Sequence, residues 1–376
     1  MFSCVDLFCG AGGLSEGFRR SGFNILLAND FDIWCEATYR LNHPETKFMT
    51  GPIQEITAEQ ILSELGMRPG ELDCMVGGPP CQAFSVYNHQ RGMHDERSQL
   101  FKEYLRIVGG VLPKYVVIEN VPGMNSVEDG AAVAEIKRGL KELGYNVELG
   151  LLRAEDYGVA QERRRLFFIG NRIGADIVFP EPTHGTGLLS HVNVWDAISD
   201  MPPLENGRGE EETDYVSQPQ SEYQKMMREG SRKVFNHVAP SLEQINLQRM
   251  KYIPEGGSWR DIPHDLLPEG MKNARRSDHT KRYGRLRKDG LASTILTKCD
   301  PHWGAFFHPT QNRSLTVREA ARLQCFPDKI RFKGSRAEQY KQVGNAVPIL
   351  LSAAVACVVR EALSVHSSKA VGSNGA

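Results

Sequence analysis

Apolar residues in the N-terminal part of the chain fall in short runs that alternate with stretches of helical spacing. Phe2–Phe8 and Asn24–Ala28 read as buried strands, with Leu14–Arg20, stopped by Gly22, as the helix between them. Ile33–Leu41 reads as a helix, Leu72–Val76 as a strand, Gln99–Val108 as a helix and Tyr115–Ile118 as a strand. Ala131–Leu143 is a helix ended by Gly144, and Val147–Leu152 and Leu166–Ile169 complete the strands. Strands alternating with helices predict an α/β fold, a mostly parallel sheet with helices on both faces. The rhythm stops near Asn171, and a stretch rich in Pro, Gly and polar residues predicts a smaller, irregular second domain. Regularity returns at Thr316–Gln324, where Thr316 and Glu319 have capping-box spacing. A last helix starts near Pro348, since proline suits a first helical turn. Its apolar run, Ile349–Val359, is too short to span a bilayer and is followed by Arg360 and Glu361, so a buried helix and no membrane partner are expected. The tail from Ser364 is small and polar, as in disordered segments.

Composition adds little to this picture until it is resolved along the chain. Apolar residues make up 40% and charged residues 24%, as in ordinary soluble domains, and the formal net charge is -1. Yet Lys225–Lys288 holds fifteen Lys or Arg against seven Asp or Glu, while Glu205–Asp214 holds five acids and one Arg. Such a basic stretch is either a solvated surface or a phosphate-binding face on an otherwise neutral protein. The 8 cysteines show no C-x-x-C pair and no zinc-ligand spacing, so no metal is expected. Their scatter suits a reducing cytoplasm, and Met1 leads straight into a strand rather than a signal peptide.

Three motifs sit where strands end, and a fourth where a strand begins. After the first strand comes Asp6-Leu7-Phe8-Cys9-Gly10-Ala11-Gly12-Gly13-Leu14. Its glycines let a backbone approach a cofactor closely, but Ser15 takes the place of the third glycine of the dinucleotide fingerprint. Asp30 ends the second strand, where an acid can hold ribose hydroxyls. A nucleoside cofactor without a pyrophosphate suits this turn; a purely structural tight turn would read the same. The second motif is Gly77-Gly78-Pro79-Pro80-Cys81-Gln82-Ala83-Phe84-Ser85. Two prolines stiffen the approach to Cys81, which is either a nucleophile or a structural thiol. In Val117-Ile118-Glu119-Asn120-Val121-Pro122, a carboxylate after apolar residues is partly desolvated, which raises its pKa and suits it to share a proton. In Gln161-Glu162-Arg163-Arg164-Arg165, strand alternation puts Arg163 and Arg165 on one face, opposite Arg164.

In order and spacing these motifs resemble those of the DNA (cytosine-5)-methyltransferase family, of the bacterial restriction–modification type. Arg313–Gln324 with Phe326-Pro327-Asp328, and Gln342-Val343-Gly344-Asn345-Ala346-Val347-Pro348, resemble its closing motifs. The resemblance covers nearly the whole chain. It implies a Rossmann-like methyltransferase fold dependent on S-adenosyl-L-methionine, with a catalytic domain over 1–171 and a target-recognition domain over 172–312. Residues 313–363 would return to the catalytic domain, and 364–376 would be the tail. Cys81 would attack C6 of a cytosine flipped out of duplex DNA, under a mobile loop, Gln82–Arg97. Glu119 would act at N3 of the ring, Arg165 at O2, Arg163 at the phosphate backbone or the closed loop, and Asn120 would hold the nucleophile loop. The cofactor would be held by Phe8, Gly10, Ala11, Gly12, Gly13, Leu14, Asp30, Phe31, Ile53, Pro79, Leu100, Asn345 and Ala346. Here Gly51-Pro52-Ile53 replaces the family's G-D-I, whose aspartate binds the adenine amino group.

DNA contacts are expected from Ser85, Trp259, Arg260, Thr294 and Lys298, on loops such as Pro254–Arg260 and Thr297–Trp303. The implied partner is double-stranded DNA, met by a monomer beside a prokaryotic chromosome, with a cognate restriction endonuclease acting separately. Two alternatives remain open: a tRNA cytosine-C5 methyltransferase on the same scaffold, which usually has a smaller recognition region, and a non-catalytic DNA-binding homologue, which usually lacks the nucleophile. A dehydrogenase is disfavoured by Ser15.

Overall fold

The structure, a computed structural model, describes residues 1–80, 100–126 and 130–373. The chain forms two compact units: Met1–Tyr157, Arg164–Pro182 and Ile349–Ala376 make the first, Gly158–Arg163 and Thr183–Pro348 the second.

The first unit runs β1 (Phe2–Leu7), α1 (Gly13–Arg20), β2 (Phe23–Asp30), α2 (Ile33–Asn42), β3 (Lys47–Thr50), α3 (Ala58–Leu65) and β4 (Cys74–Gly77). It continues with α4 (Leu100–Val111), β5 (Tyr115–Asn120), α5 (Ala131–Glu142), β6 (Asn146–Arg153) and β7 (Arg164–Asn171). The strands form one sheet in the order β3-β2-β1-β4-β5-β7-β6. The first five are parallel; β7 runs antiparallel to both β5 and β6. The sequence rhythm predicts most of these elements and the α/β class, but not β3 or α3. β5 is buried along its whole length, as expected of a central strand covered on both faces. The core on one face joins Val5, Leu7, Met75 and Ile118 of the sheet to Ile61 of α3, Tyr104 and Ile107 of α4 and Ile136 of α5.

The second unit holds α6 (Val194–Ile198), β8 (Gly209–Asp214), α7 (Glu222–Arg228), β9 (Lys233–Val238), α8 (Gln244–Met250), α9 (Glu269–Lys272), α10 (Val317–Leu323) and α11 (Arg336–Asn345). β8 and β9 pair antiparallel. The predicted capping box starts α10: Thr316 Oγ1 accepts from Glu319 N at 3.1 Å, and Thr316 N donates to the Glu319 carboxylate at 2.8 Å. Met250, Ile253, Trp259, Ile262, Met271, Tyr283 and Phe307 make a separate core here.

The chain then returns to the first unit as α12 (Ile349–Ser373), which continues helical past Ser364, where the small polar composition predicts an irregular tail. The long apolar α12 packs on α1: Ser352 Oγ donates to Leu14 O at 3.0 Å, and any side chain at Gly17 would collide with Ser352. Glycine at 17 is what allows the two helices to approach.

Candidate active site

β1, β4 and β5 are neighbours in register, with Leu7 beside Gly77 and Gly77 beside Ile118. The Gly-rich turn, the approach to Cys81 and the Glu119–Asn120 pair therefore leave the sheet at one level, along its carboxyl edge, where open α/β sheets bind ligands.

The turn after β1 has three left-handed residues, Phe8 (φ 59°), Gly10 (φ 53°) and Gly12 (φ 87°). A Cβ at Gly10 would meet nothing within 4 Å, which leaves open space over the turn. Asp30, at the end of β2, folds over it: one carboxylate oxygen accepts from Gly10 N and the other from Asp32 N, each at 2.9 Å. Burial pushes the Asp30 carboxyl up, against the pull of these N–H donors. Phe31 follows, 64% exposed. Leu14 is buried, and Leu100, at the start of α4, packs on the core. Ile53 is buried in that core too, so its exposed face is slight; its carbonyl accepts from Arg106 at 3.0 Å. Asn345 and Ala346 belong to the second unit, with Asn345 exposed at the end of α11.

Beneath the turn lies a feature the motif alone does not announce. Asp6 is wholly buried, and one of its oxygens accepts from Ser15 N at 3.1 Å and Ser15 Oγ at 2.6 Å. Tyr39 OH donates to the same Ser15 Oγ at 2.7 Å. Ser15 thus stands in the third-glycine position because it solvates a buried carboxylate. Burial, only partly offset by Ser15, raises the Asp6 carboxyl to about 7. Its other oxygen meets no hydrogen-bond donor among the described residues.

Glu119 is buried at the end of β5, and Arg165, on antiparallel β7, brings its Nε to 2.6 Å from the Glu119 carboxylate. The sequence places Glu119 in apolar surroundings; the fold adds a guanidinium partner, because β7 runs back beside β5. Glu119 also faces the approach to the nucleophile: its carboxylate lies 3.1 Å from where a Gly78 Cβ would be. Asn120 Nδ2 donates to Pro79 O at 3.2 Å and ties the same segment. Cys81, Ser85 and the loop Gln82–Arg97 lie outside the described residues.

Arg163 does not share the setting of Arg165. It precedes β7, lies in the second unit and is buried, donating to the carbonyls of Ile295 (3.0 Å), Gly344 (2.9 Å) and Ala346 (2.9 Å). A guanidinium so occupied clamps the closing motif and does not present itself to a phosphate. Gln161 works beside it, donating to Leu323 O at 2.6 Å and accepting from Ile295 N at 3.1 Å.

Of the residues expected at DNA, Lys298 is exposed and Arg260 half-buried. Thr294 donates to Glu162 O at 2.7 Å. Trp259 is 3% exposed, in the core of the second unit, with its Nε1 donating to His279 O at 3.1 Å. The expectation of a DNA contact from Trp259 is corrected: the side chain is a buried post. A Gly-rich loop gives no sign of this, since its packing partners Tyr283 and Phe307 lie far along the chain.

The sequence profile of the C-5 cytosine-specific DNA methylase family matches residues 2–360. The Type II methyltransferase M.AgeI of Thalassovita gelatinovora is 35% identical, with 96% of this chain and 99% of that protein covered. The Type II methyltransferase M1.HphI of Haemophilus parahaemolyticus is 35% identical over 94% of this chain and 85% of its own length. Among solved structures, a candidate DNA modification methyltransferase encoded within a prophage (E. coli) superposes with a TM-score of 0.77 at 23% identity, covering 97% of this chain and all of that one. At that identity the likeness speaks for the fold, a Rossmann-like methyltransferase fold. Taken with the carboxyl-edge cluster of the Gly-rich turn, Glu119 and Arg165, the match across the whole chain makes this protein a member of the C-5 cytosine-specific DNA methylase family, a DNA (cytosine-5)-methyltransferase.

Proposed function

We propose that the protein methylates C5 of a cytosine within a specific sequence of double-stranded DNA, using S-adenosyl-L-methionine, as the modification component of a restriction system. The observation that carries this is the convergence, at the ends of three adjacent parallel strands, of an open Gly-rich turn, the approach to Cys81 and Glu119, which Arg165 of the neighbouring antiparallel strand faces.

The cofactor fits the turn. Gly10 leaves room, Asp30 is an acceptor at the place of a ribose diol, and Phe31 offers an exposed ring for an adenine. With proline at 52, adenine recognition falls to backbone groups rather than to the usual aspartate. When bound, S-adenosyl-L-methionine supplies an electrophilic methyl group. The remaining work belongs to side chains. A flipped cytosine is needed, because C5 and C6 are out of reach within a stacked duplex, and unstacking costs about a few kcal/mol. The Cys81 thiolate forms a bond to C6 of that ring. Glu119, once it has taken up a proton, donates it to N3 and so neutralises the charge that develops on the ring, which leaves C5 nucleophilic. Arg165, held by Glu119, orients the ring through O2. Once C5 is substituted, a solvent base takes its proton, the C5–H electron pair becomes the C5–C6 double bond, and the Cys81 sulfur leaves as a thiolate.

Radiolabelled methyl transfer to duplex DNA and to tRNA, compared side by side, tests the substrate. Label in 5-methylcytosine of the duplex is expected; label confined to tRNA would overturn it. Bisulfite sequencing of plasmid from expressing cells then reads the target sequence.

A further inference from the structure

Trp259 is hidden, but the loops it pins present a different tryptophan. Trp259 N donates to Arg282 O at 3.0 Å and its indole N–H to His279 O at 3.1 Å, which anchors the turn between them. That turn is held in a costly conformation, since His279 and Tyr283 are both left-handed at φ 50°. The next loop is fastened to it: Tyr283 N donates to Pro301 O at 2.7 Å, and the Tyr283 and His302 rings meet at 4.9 Å. Asp300 holds the loop's own shape, accepting from Trp303 N through its carbonyl at 3.0 Å and from His302 N through its carboxylate at 2.9 Å. At the end of this scaffold stands Trp303, 50% exposed, with the Arg282 guanidinium 5.3 Å from its ring centre.

A large indole left half in water, yet fixed by a cation, is a poor use of a tryptophan for stability. Arg275, Arg276, Lys281 and Lys298 are exposed on the same two loops. Lys281 is paired with Glu162, and Asp300 is engaged within its own loop. An aromatic face among cations is the composition that packs on nucleotides while neutralising phosphates.

We propose that Trp303, braced by Arg282, is a DNA-contacting residue of the second unit, its indole packing on a deoxyribose face of the duplex backbone. This rests on double-stranded DNA being the substrate. The full-length protein is tested as wild type, Trp303→Ala, Trp303→Phe and Arg282→Gln, with circular dichroism to show that each is folded. Affinity for a duplex oligonucleotide carrying the site found by bisulfite sequencing is measured, together with affinity for S-adenosyl-L-methionine. Trp303→Ala should weaken the duplex roughly 5- to 100-fold. Trp303→Phe should retain most of the affinity, and cofactor binding should be unchanged in all three. Intrinsic fluorescence gives an independent readout, because the chain has only Trp34, Trp195, Trp259 and Trp303. Duplex should quench the wild type and lose most of that quenching in Trp303→Phe. Parent-like duplex affinity in Trp303→Ala, or quenching that survives in Trp303→Phe, would overturn the assignment. A wild type with no affinity for any duplex would instead bring down the substrate reading beneath it.

Discussion

Replacing Arg165 by Met removes the guanidinium that faces Glu119 and leaves a carboxylate at the end of a wholly buried strand. With 2.6 Å between Nε and the carboxylate oxygen, and side chains 11% and 10% exposed, an effective dielectric of about 20 gives a gross attraction of roughly 6 kcal/mol. Most of that is offset by desolvation of both ions, so the net worth of the pair is small. Cutting only one side is different, because the surviving charge keeps its desolvation cost: about 3 kcal/mol for Arg165→Met, and about 2 kcal/mol for Glu119→Gln, which keeps an acceptor for the guanidinium. The double variant carries no buried negative charge and should cost no more than the worse single change. A coupling of about 2 kcal/mol is expected from the cycle. Urea denaturation followed by circular dichroism measures it, provided the slope m is common to all four proteins. Each single change should also lower the methyl-transfer rate by roughly 100-fold or more at saturating cofactor, with little loss of cofactor affinity. A coupling below about 0.5 kcal/mol would refute the idea that Arg165 and Glu119 act as one unit.

Three other changes probe the frame around the site. Gly10→Ala should cost only about 1 kcal/mol in folding, through the strain of φ 53° in a non-glycine residue, since the added methyl meets no protein atom; it should weaken S-adenosyl-L-methionine roughly tenfold or more by titration calorimetry, because it fills the space over the turn. Gly17→Ala should destabilise by about 1–3 kcal/mol by urea denaturation, as its methyl meets both the Ser352 side chain and the backbone of Ala353 on α12; a wild-type midpoint would contradict the close approach of the two helices. A pH dependence is built into the second unit. Burial, reinforced by Arg313, lowers the His308 ring to about 4, and its Nδ1 accepts from the backbone N–H groups of Thr310 and Gln311 at 3.2 and 3.1 Å. Because this lies below the unfolded value of 6.5, the contribution of the neutral ring is complete above that pH and is lost as pH falls toward 4. Glu319 acts in the same direction: burial would raise it, but Arg313 and the two nearby histidines hold it well below the usual carboxylate range. These groups should therefore lose about 2 kcal/mol between pH 7 and pH 5, against an opposite gain of about 2 kcal/mol as Asp6, raised to about 7, takes up its proton, so His308→Asn should turn a nearly flat wild-type profile into one in which stability rises toward pH 5.

What the sequence makes legible follows from which interactions are local. The strand β1, its glycine turn and α1 are written in adjacent residues, as is the Thr316–Glu319 cap, and these fold as the pattern predicts. β3 is invisible because it is four residues long and buries only Phe48. α3 carries a cap signal, Thr57 with Gln60, that the apolar rhythm is too sparse to bring out. The reversed direction of β7 leaves no trace in composition, yet it pairs Arg165 with Glu119. Arg163 and Trp259 mislead for one reason: a charged residue and a loop aromatic suggest exposure, and only partners more than a hundred residues away for Arg163, or twenty and more for Trp259, bury them.

The sharpest test concerns the sulfur at position 81. The protein is incubated with S-adenosyl-L-methionine and a duplex whose target cytosine is 5-fluorocytosine, where a carbon–fluorine bond blocks the final loss from C5. A denaturation-resistant protein–DNA adduct, mapped by mass spectrometry to Cys81 and absent in Cys81→Ala, is expected, while Cys81→Ala still binds the unmodified duplex. Methylation of ordinary duplex by Cys81→Ala at the wild-type rate, or an adduct mapped to another residue, would contradict the covalent role.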